Sequence, residues 1–239
     1  MALVALTLIA TACSPGQPAP PPASAGTVEA RAVPAAIESA SLVNQRGQRV
    51  TLASFRGRIV LLVPFLTLCN TICPLTTGNL LQTESALKAA GLGDKVQIVE
   101  LSVDPGRDTP ARLSAYAHLT GANWQLVTES PTELARFARF FGFSYRKAPP
   151  GHPPPIDWLT GQPLTYVVDH SVGYYLISST GTLRYTTAAA PDFTGTLNPT
   201  LHAFLNTQGR AHLAHPEKNG WTVGDALNSL SWLLGRRIS

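Results

Sequence analysis

Apolar and polar residues alternate along this 239-residue chain in two periods. The run IVLLVPFL at 59–66 is apolar throughout and of strand length, which predicts a strand buried on both faces. VQIVELSV at 96–103 predicts another, and shorter strands fall at 124–127, 164–168, 174–177 and 183–186. The segment 42–52 reads as a hairpin turning at Arg46-Gly47. Helical spacing covers 75–90 and stops at Gly91. Asp108-Thr109-Pro110 caps a helix to about Leu119, and Ser130-Pro131-Thr132-Glu133 caps one to about Phe141, ended by Gly142. Beyond Ala188 the pattern weakens. It returns at 222–235, where Val223, Leu227, Leu230, Leu233 and Leu234 line one face of a short amphipathic helix. Early alternation of strands and helices, closed by a hairpin, argues an α/β fold with a mixed sheet.

A hydrophobic content of 44% allows a core, and the length allows one ordinary domain with appendages. The net charge of +4 is scattered, with one terminal pair at Arg236-Arg237, and no basic stripe interleaves with aromatics. That pattern argues against a nucleic-acid partner.

The N-terminus changes the picture more. Residues 2–12 are small and apolar, too short to span a bilayer, and they run into Cys13. Ala10-Thr11-Ala12-Cys13 resembles the end of a bacterial lipoprotein signal, in which the cysteine becomes the acylated first residue. The resemblance implies an exported protein, held by Cys13 on the outer face of the cytoplasmic membrane. Pro, Ala, Ser and Gly then dominate 14–26, so 14–35 reads as an extended tether. The domain is expected at 36–190, followed by an extension over 191–239. With a lipid on Cys13, the other two of the three cysteines make one pair. In an oxidising compartment such a pair needs a thiol reductant to stay open.

That pair is the strongest chemical signal. Leu68-Cys69-Asn70-Thr71-Ile72-Cys73-Pro74 follows directly on the apolar run, so a strand delivers two thiols to a helix start. A helix N-terminus favours thiolate. Two such thiolates either bind a soft metal ion or close a disulfide and exchange electrons.

Three segments in this order resemble the Sco/SenC family: Cys69-x-x-x-Cys73-Pro74, then Ser102-Val103-Asp104-Pro105-Gly106-Arg107-Asp108-Thr109-Pro110, then Val168-Asp169-His170-Ser171 ahead of Tyr175-Leu176-Ile177. The resemblance covers about residues 41–187. It implies a thioredoxin-like fold, with a mixed central sheet flanked by helices. It also implies copper, as Cu(I) or Cu(II), bound by Cys69, Cys73 and His170 and delivered to the apo copper-site subunit of a cytochrome oxidase. A thiol reductant or another copper chaperone would act upstream. The chain departs from the family pattern at Leu66-Thr67-Leu68 and Asn70-Thr71, where an aromatic-Thr pair and Pro-Asp are frequent.

Two soft sulfurs and an imidazole suit Cu(I), whereas a closed zinc site normally takes four protein ligands. The alternative function is a thiol–disulfide oxidoreductase that reduces the cysteines of a copper-site target through Cys69 and Cys73. A thiol peroxidase fits less well, because it needs one peroxidatic cysteine. Asp104 either accepts hydrogen bonds near the site or caps a turn. Arg107 and Asp108 are expected as turn and cap residues. His118 falls in a helical pattern and reads as partly buried or surface. His152, in the Pro-rich loop, either shields the site or does nothing. His202, His212 and His215 read as solvated loop residues in preference to an accessory metal site, and Phe137, Phe140, Phe141 and Phe143 read as core and adjoining surface.

Overall fold

The computed structural model describes residues 17–238. Cys13 and the expected signal lie outside the described residues. In chain order the strands are β1 (Thr27–Ala32), β2 (Leu42–Asn44), β3 (Arg49–Val50), β4 (Ile59–Phe65), β5 (Val96–Ser102), β6 (Gln125–Thr128), β7 (Tyr145–Ala148), β8 (Val167–His170), β9 (Tyr174–Ile177) and β10 (Thr182–Thr187). The helices are α1 (Ala35–Glu38), α2 (Cys73–Ala89), α3 (Pro110–Thr120), α4 (Pro131–Phe141), α5 (Pro199–Phe204), α6 (Thr207–Ala214) and α7 (Val223–Leu234).

Among the described residues, eight strands form one sheet in the order β1-β10-β9-β4-β5-β6-β2-β3. β4, β5 and β6 run parallel, and β9 joins β4 antiparallel. Every residue of β4 and β5 is buried, as the unbroken apolar character of β4 requires of a strand covered on both faces, and β5 buries Gln97, Glu100 and Ser102 as well. Parallel β4, β5 and β6 send their following loops to the same end of the sheet. The segments 66–72 and 103–109 therefore meet there.

The caps form as the sequence indicates. Thr109 and Ser130 accept from the backbone N–H groups of Arg112 and Glu133, and Gly121 and Gly142 end their helices at φ 82°. Asp108 is a correction. It caps nothing, and its buried carboxylate accepts from Thr67 Oγ1 at 2.5 Å and Ser102 Oγ at 2.7 Å.

Two regions extend the fold beyond the expected limits. The segment 14–35 is not all tether, because β1 pairs antiparallel with β10. An open sheet edge offers N–H and C=O groups to whatever chain lies beside it. Gly26 brings the strand in, since a Cβ there would stand 2.4 Å from Thr186 O. At the other end, the extension packs onto α2. Phe193, Leu197, Leu201 and Leu205 surround Leu75 in a small second core. Gly78 allows that approach, because a Cβ there would meet Leu197 and Phe193 at 2.8 Å. Asn79 Nδ2 donates to Trp221 O at 3.2 Å, and Gln82 Nε2 to Thr194 O at 2.9 Å.

Candidate metal centre

Cys69 lies in the loop after β4, and Cys73 is the first residue of α2. The helix thus begins one residue ahead of Pro74. Pro74 sits where a missing N–H removes no helical bond. His170 ends β8, which pairs with β7 in a separate two-stranded sheet. The fold brings these three distant positions together. Cys69 Sγ, Cys73 Sγ and one His170 ring nitrogen all lie within 4.8 Å of one another. His170 Nε2 stands 3.4 Å from Cys73 Sγ, and the Cys73 N–H donates to Cys69 Sγ at 3.4 Å. His170 Nδ1 lies 2.7 Å from Ser171 O. A carbonyl only accepts, so Nδ1 carries a proton, and in the neutral ring Nε2 holds the lone pair, facing the sulfurs.

The two thiols are not equivalent. The hydrogen bond with Cys73 lowers the Cys69 thiol well below its ordinary value; burial opposes this and His170 reinforces it. Burial pushes Cys73 up, and the neighbouring Cys69 adds to the rise. Thiolate is therefore favoured at Cys69 over Cys73. Burial disfavours the imidazolium of His170, but the hydrogen bond and charge of Cys69 outweigh it and raise the group. Soft thiolate, thiol and free imidazole nitrogen together form a donor set suited to a soft ion. Both cysteines are free, so the same pair is also positioned for dithiol chemistry.

Neighbouring residues hold this arrangement from several sides. Trp158 Nε1 donates to Thr67 O at 2.8 Å, two residues before Cys69. Arg112 grips Asp157 with both terminal guanidinium nitrogens, Nη1 and Nη2, at 2.8 and 2.6 Å, and so fixes the loop that carries Trp158. Burial pushes the Asp108 carboxyl up to about 6 even though Thr67 and Ser102 donate to it. Asp104 proves to be a connector: it accepts from Arg107 Nε at 2.5 Å and from Tyr166 Oη at 2.9 Å. Arg107 also donates to Tyr166 O and lies 3.7 Å from the centre of the Tyr166 ring. It thereby ties the loop after β5 to the start of β8, rather than serving only its own turn.

A cleft of about 370 Å³ opens on the site, and its walls include Cys69, His170, Pro155, Asn206 and Gln208. Among the described residues, the only group of three or more His, Cys, Asp or Glu side chains within metal-binding reach is Cys69, Cys73 and His170. His118, His152, His202 and His215 are exposed and His212 is half-buried, none of them in that group. Sequence reading did not find Trp158, Asp157 or Asn206, whose partners lie far away along the chain.

A thioredoxin-like fold with a paired-cysteine and histidine donor set at one end of its sheet defines the class. The SCO1/SenC family model matches residues 29–195, and the chain belongs to that family. Among curated relatives, the bovine mitochondrial SCO2 homolog is 32% identical over 141 residues, covering 59% of this chain and 49% of that protein. The SCO1 protein homolog of Bacillus subtilis is 35% identical over 106 residues, covering 43% of this chain and 54% of that protein. The chain thus spans about half the length of these relatives. Among solved structures, copper-bound ScoI of Arabidopsis thaliana aligns with a TM-score of 0.53 at 28% identity, over 62% of this chain and 85% of that one. Apo Sco1 of Thermus thermophilus aligns with a TM-score of 0.51 at 25% identity, over 69% and 86%. No helix among the described residues is long and apolar enough to cross a membrane.

Proposed function

We propose that this chain is a copper metallochaperone whose cargo ion is held by Cys69 Sγ, Cys73 Sγ and His170 Nε2. It hands that ion by ligand exchange to the apo copper-site subunit of a respiratory cytochrome oxidase. The observation that carries this reading is the convergence of the three donors within 4.8 Å, with Nε2 left free by the Nδ1 contact to Ser171 O. Three protein donors in an open cleft leave room for an incoming ligand of the partner. Cu(I) suits two sulfurs and an imidazole in low coordination, and Cu(II) also accepts the imidazole. The copper-bound relative supports the choice of ion. Export on a Cys13 lipid anchor, with the Pro-rich segment as tether, belongs to the same proposal. A relative described as a SCO1/SenC family lipoprotein, from Bacillus anthracis, supports it.

A second reading rests on the unequal thiols. Cys69 as thiolate beside a protonated Cys73 is the arrangement of a thiol–disulfide oxidoreductase, which would reduce a target's cysteines before metal insertion. Anaerobic copper titration of the reduced protein separates the two. Wild type is expected to bind one copper, and the Cys69→Ser/Cys73→Ser variant none tightly. His170→Ala is expected to lose copper transfer while its dithiol still cycles with a small thiol reductant. Stoichiometric tight binding by the double serine variant would overturn the site. Normal oxidase assembly in a His170→Ala strain at limiting copper would promote the reductase reading.

A further inference from the structure

Helices α5 and α6 lie beyond the residues matched by the family model, yet they reach the loop between the two cysteines. The Asn206 N–H donates to Asn70 O at 2.8 Å, and Asn206 Nδ2 donates to Asn70 Oδ1 at 2.9 Å. Asn70 follows Cys69 directly. Gly209 comes so close to the same loop that a Cβ would stand 2.7 Å from Asn70 O and 2.9 Å from Thr71 O. Asn206 Oδ1 meanwhile accepts from the Gly209 N–H at 2.8 Å, which caps α6. One asparagine therefore joins the start of α6 to the inter-cysteine loop. The base of this segment is fixed on α2 by Leu201 and Leu205 packing with Leu75, two residues past Cys73. Phe204 adds aromatic contacts to Tyr116 and Trp158, with centroids 5.9 and 5.4 Å apart.

We propose that residues 199–214 form a strap that holds the inter-cysteine loop in its open-dithiol geometry, with Asn206 and Gly209 as its positioning residues. The strap spans from the helix that carries Cys73 to the loop that carries Cys69. It restrains the backbone between the two sulfurs. Both cysteines are free thiols in the described loop, and drawing their sulfurs to the roughly 2.05 Å of a disulfide asks the loop between them to adjust. The strap accordingly favours the form that accepts a metal and slows attack on Cys69. The link to copper rests on the chaperone reading; the restraint on the thiols does not.

Asn206→Ser tests the strap without removing the helix cap, because serine caps well but is too short to reach Asn70. Gly209→Ala pushes the backbones apart, and Asn70→Ala removes the partner from the other side. Two measurements on metal-free protein need no cargo. Alkylation of reduced Cys69 is expected to quicken about three- to tenfold in Asn206→Ser, as the loss of one hydrogen bond allows. Equilibration with the dithiothreitol couple is the second: the protein gives two electrons and two protons to the cyclic disulfide as its own S–S bond forms, and the reagent becomes a dithiol. The equilibrium is expected to shift about three- to tenfold toward the protein disulfide, a potential lower by about 15–30 mV. The Asn70→Ala/Asn206→Ser double variant is expected to match either single variant, the signature of one shared contact. Unchanged alkylation and potential in Asn206→Ser and Asn70→Ala would overturn the strap, whatever becomes of Gly209→Ala. Failure of wild type to bind copper would overturn the chaperone reading and leave these thiol measurements standing.

Discussion

Cys73 is 2% exposed and begins a helix packed into the main core, whereas His170 ends a strand of the two-stranded sheet, where Asp169 lies in solvent. The cysteine wall of the cleft is braced by a buried ion pair, an indole hydrogen bond and the strap. The histidine wall pairs with β7 along its strand, is tied at its base through Tyr166 to Arg107 and Asp104, and meets Ser144 through Ser171. The contrast suggests a division of labour. Under the chaperone reading, two sulfurs would hold the cargo on the more deeply buried wall, and the imidazole, on the half-buried one, would withdraw first when a partner's ligand enters. Local stability differs in this way wherever burial and restraint differ.

Three arginines test that contrast, in descending order of expected effect. Arg112 serves the cysteine wall. Arg112→Ala leaves Asp157 buried without its partner and is expected to cost about 3–5 kcal/mol of unfolding free energy in denaturant titration. The same pair sets a pH window. Burial pushes the Asp157 carboxyl up, but the Arg112 fork and the Leu159 N–H outweigh it and bring it to about 2. A folded value below the unfolded value of about 4 means stability that is full above that pH and lost as pH falls toward 2. Wild type should therefore lose stability over that range, and Arg112→Ala should lose less of it. Equal acid sensitivity in the two proteins would remove the ion pair from the account.

Arg107 serves the histidine wall. Arg107→Ala is expected to cost about 1.5–3 kcal/mol, the scale of a hydrogen bond to a charged group. Its larger consequence should be for the cargo, a roughly tenfold weaker copper affinity with the dithiol potential unchanged. A potential shift as large as that of Asn206→Ser would show that the two walls are not separable. Arg146 lies at the rim, where it pairs with Asp169 at 2.7 Å with 76% and 52% of the two side chains exposed. Arg146→Ala is expected to change stability by about 0–1 kcal/mol and to leave copper affinity alone. A large loss of affinity there would mean that surface charge, not the buried tie, sets the position of His170.

The cysteine wall was the more legible of the two in the sequence, for a physical reason. An unbroken apolar run such as 59–65 records burial on both faces, and Thr109, Ser130, Gly121 and Gly142 record helix ends in single residues. β1 and β7 carry no such record. Thr27–Ala32 has no buried residue and exists because the edge of β10 is free, and Tyr145–Ala148 holds two charges that face outward. Helices α5 and α6 are short and draw their stability from α2, a contact written in Leu75 and Gly78 more than one hundred residues upstream. Asp108 was misread for the same reason. Beside Thr109-Pro110 it looks like a cap, but its partner Thr67 is 41 residues away. His170 showed itself through the order of three motifs; its free Nε2 depends on a backbone carbonyl that only the fold places.

Trp158 gives the molecule an internal optical reporter. Its indole N–H is bound to the carbonyl of Thr67, two residues before Cys69, so a shift of the backbone leading into Cys69 would alter the polarity around the ring. Emission from this one tryptophan, isolated by replacing Trp124, Trp221 and Trp232 with phenylalanine, would register loading, oxidation and release of the strap on an unlabelled protein. The residue that braces the loop also makes each of its states visible in solution.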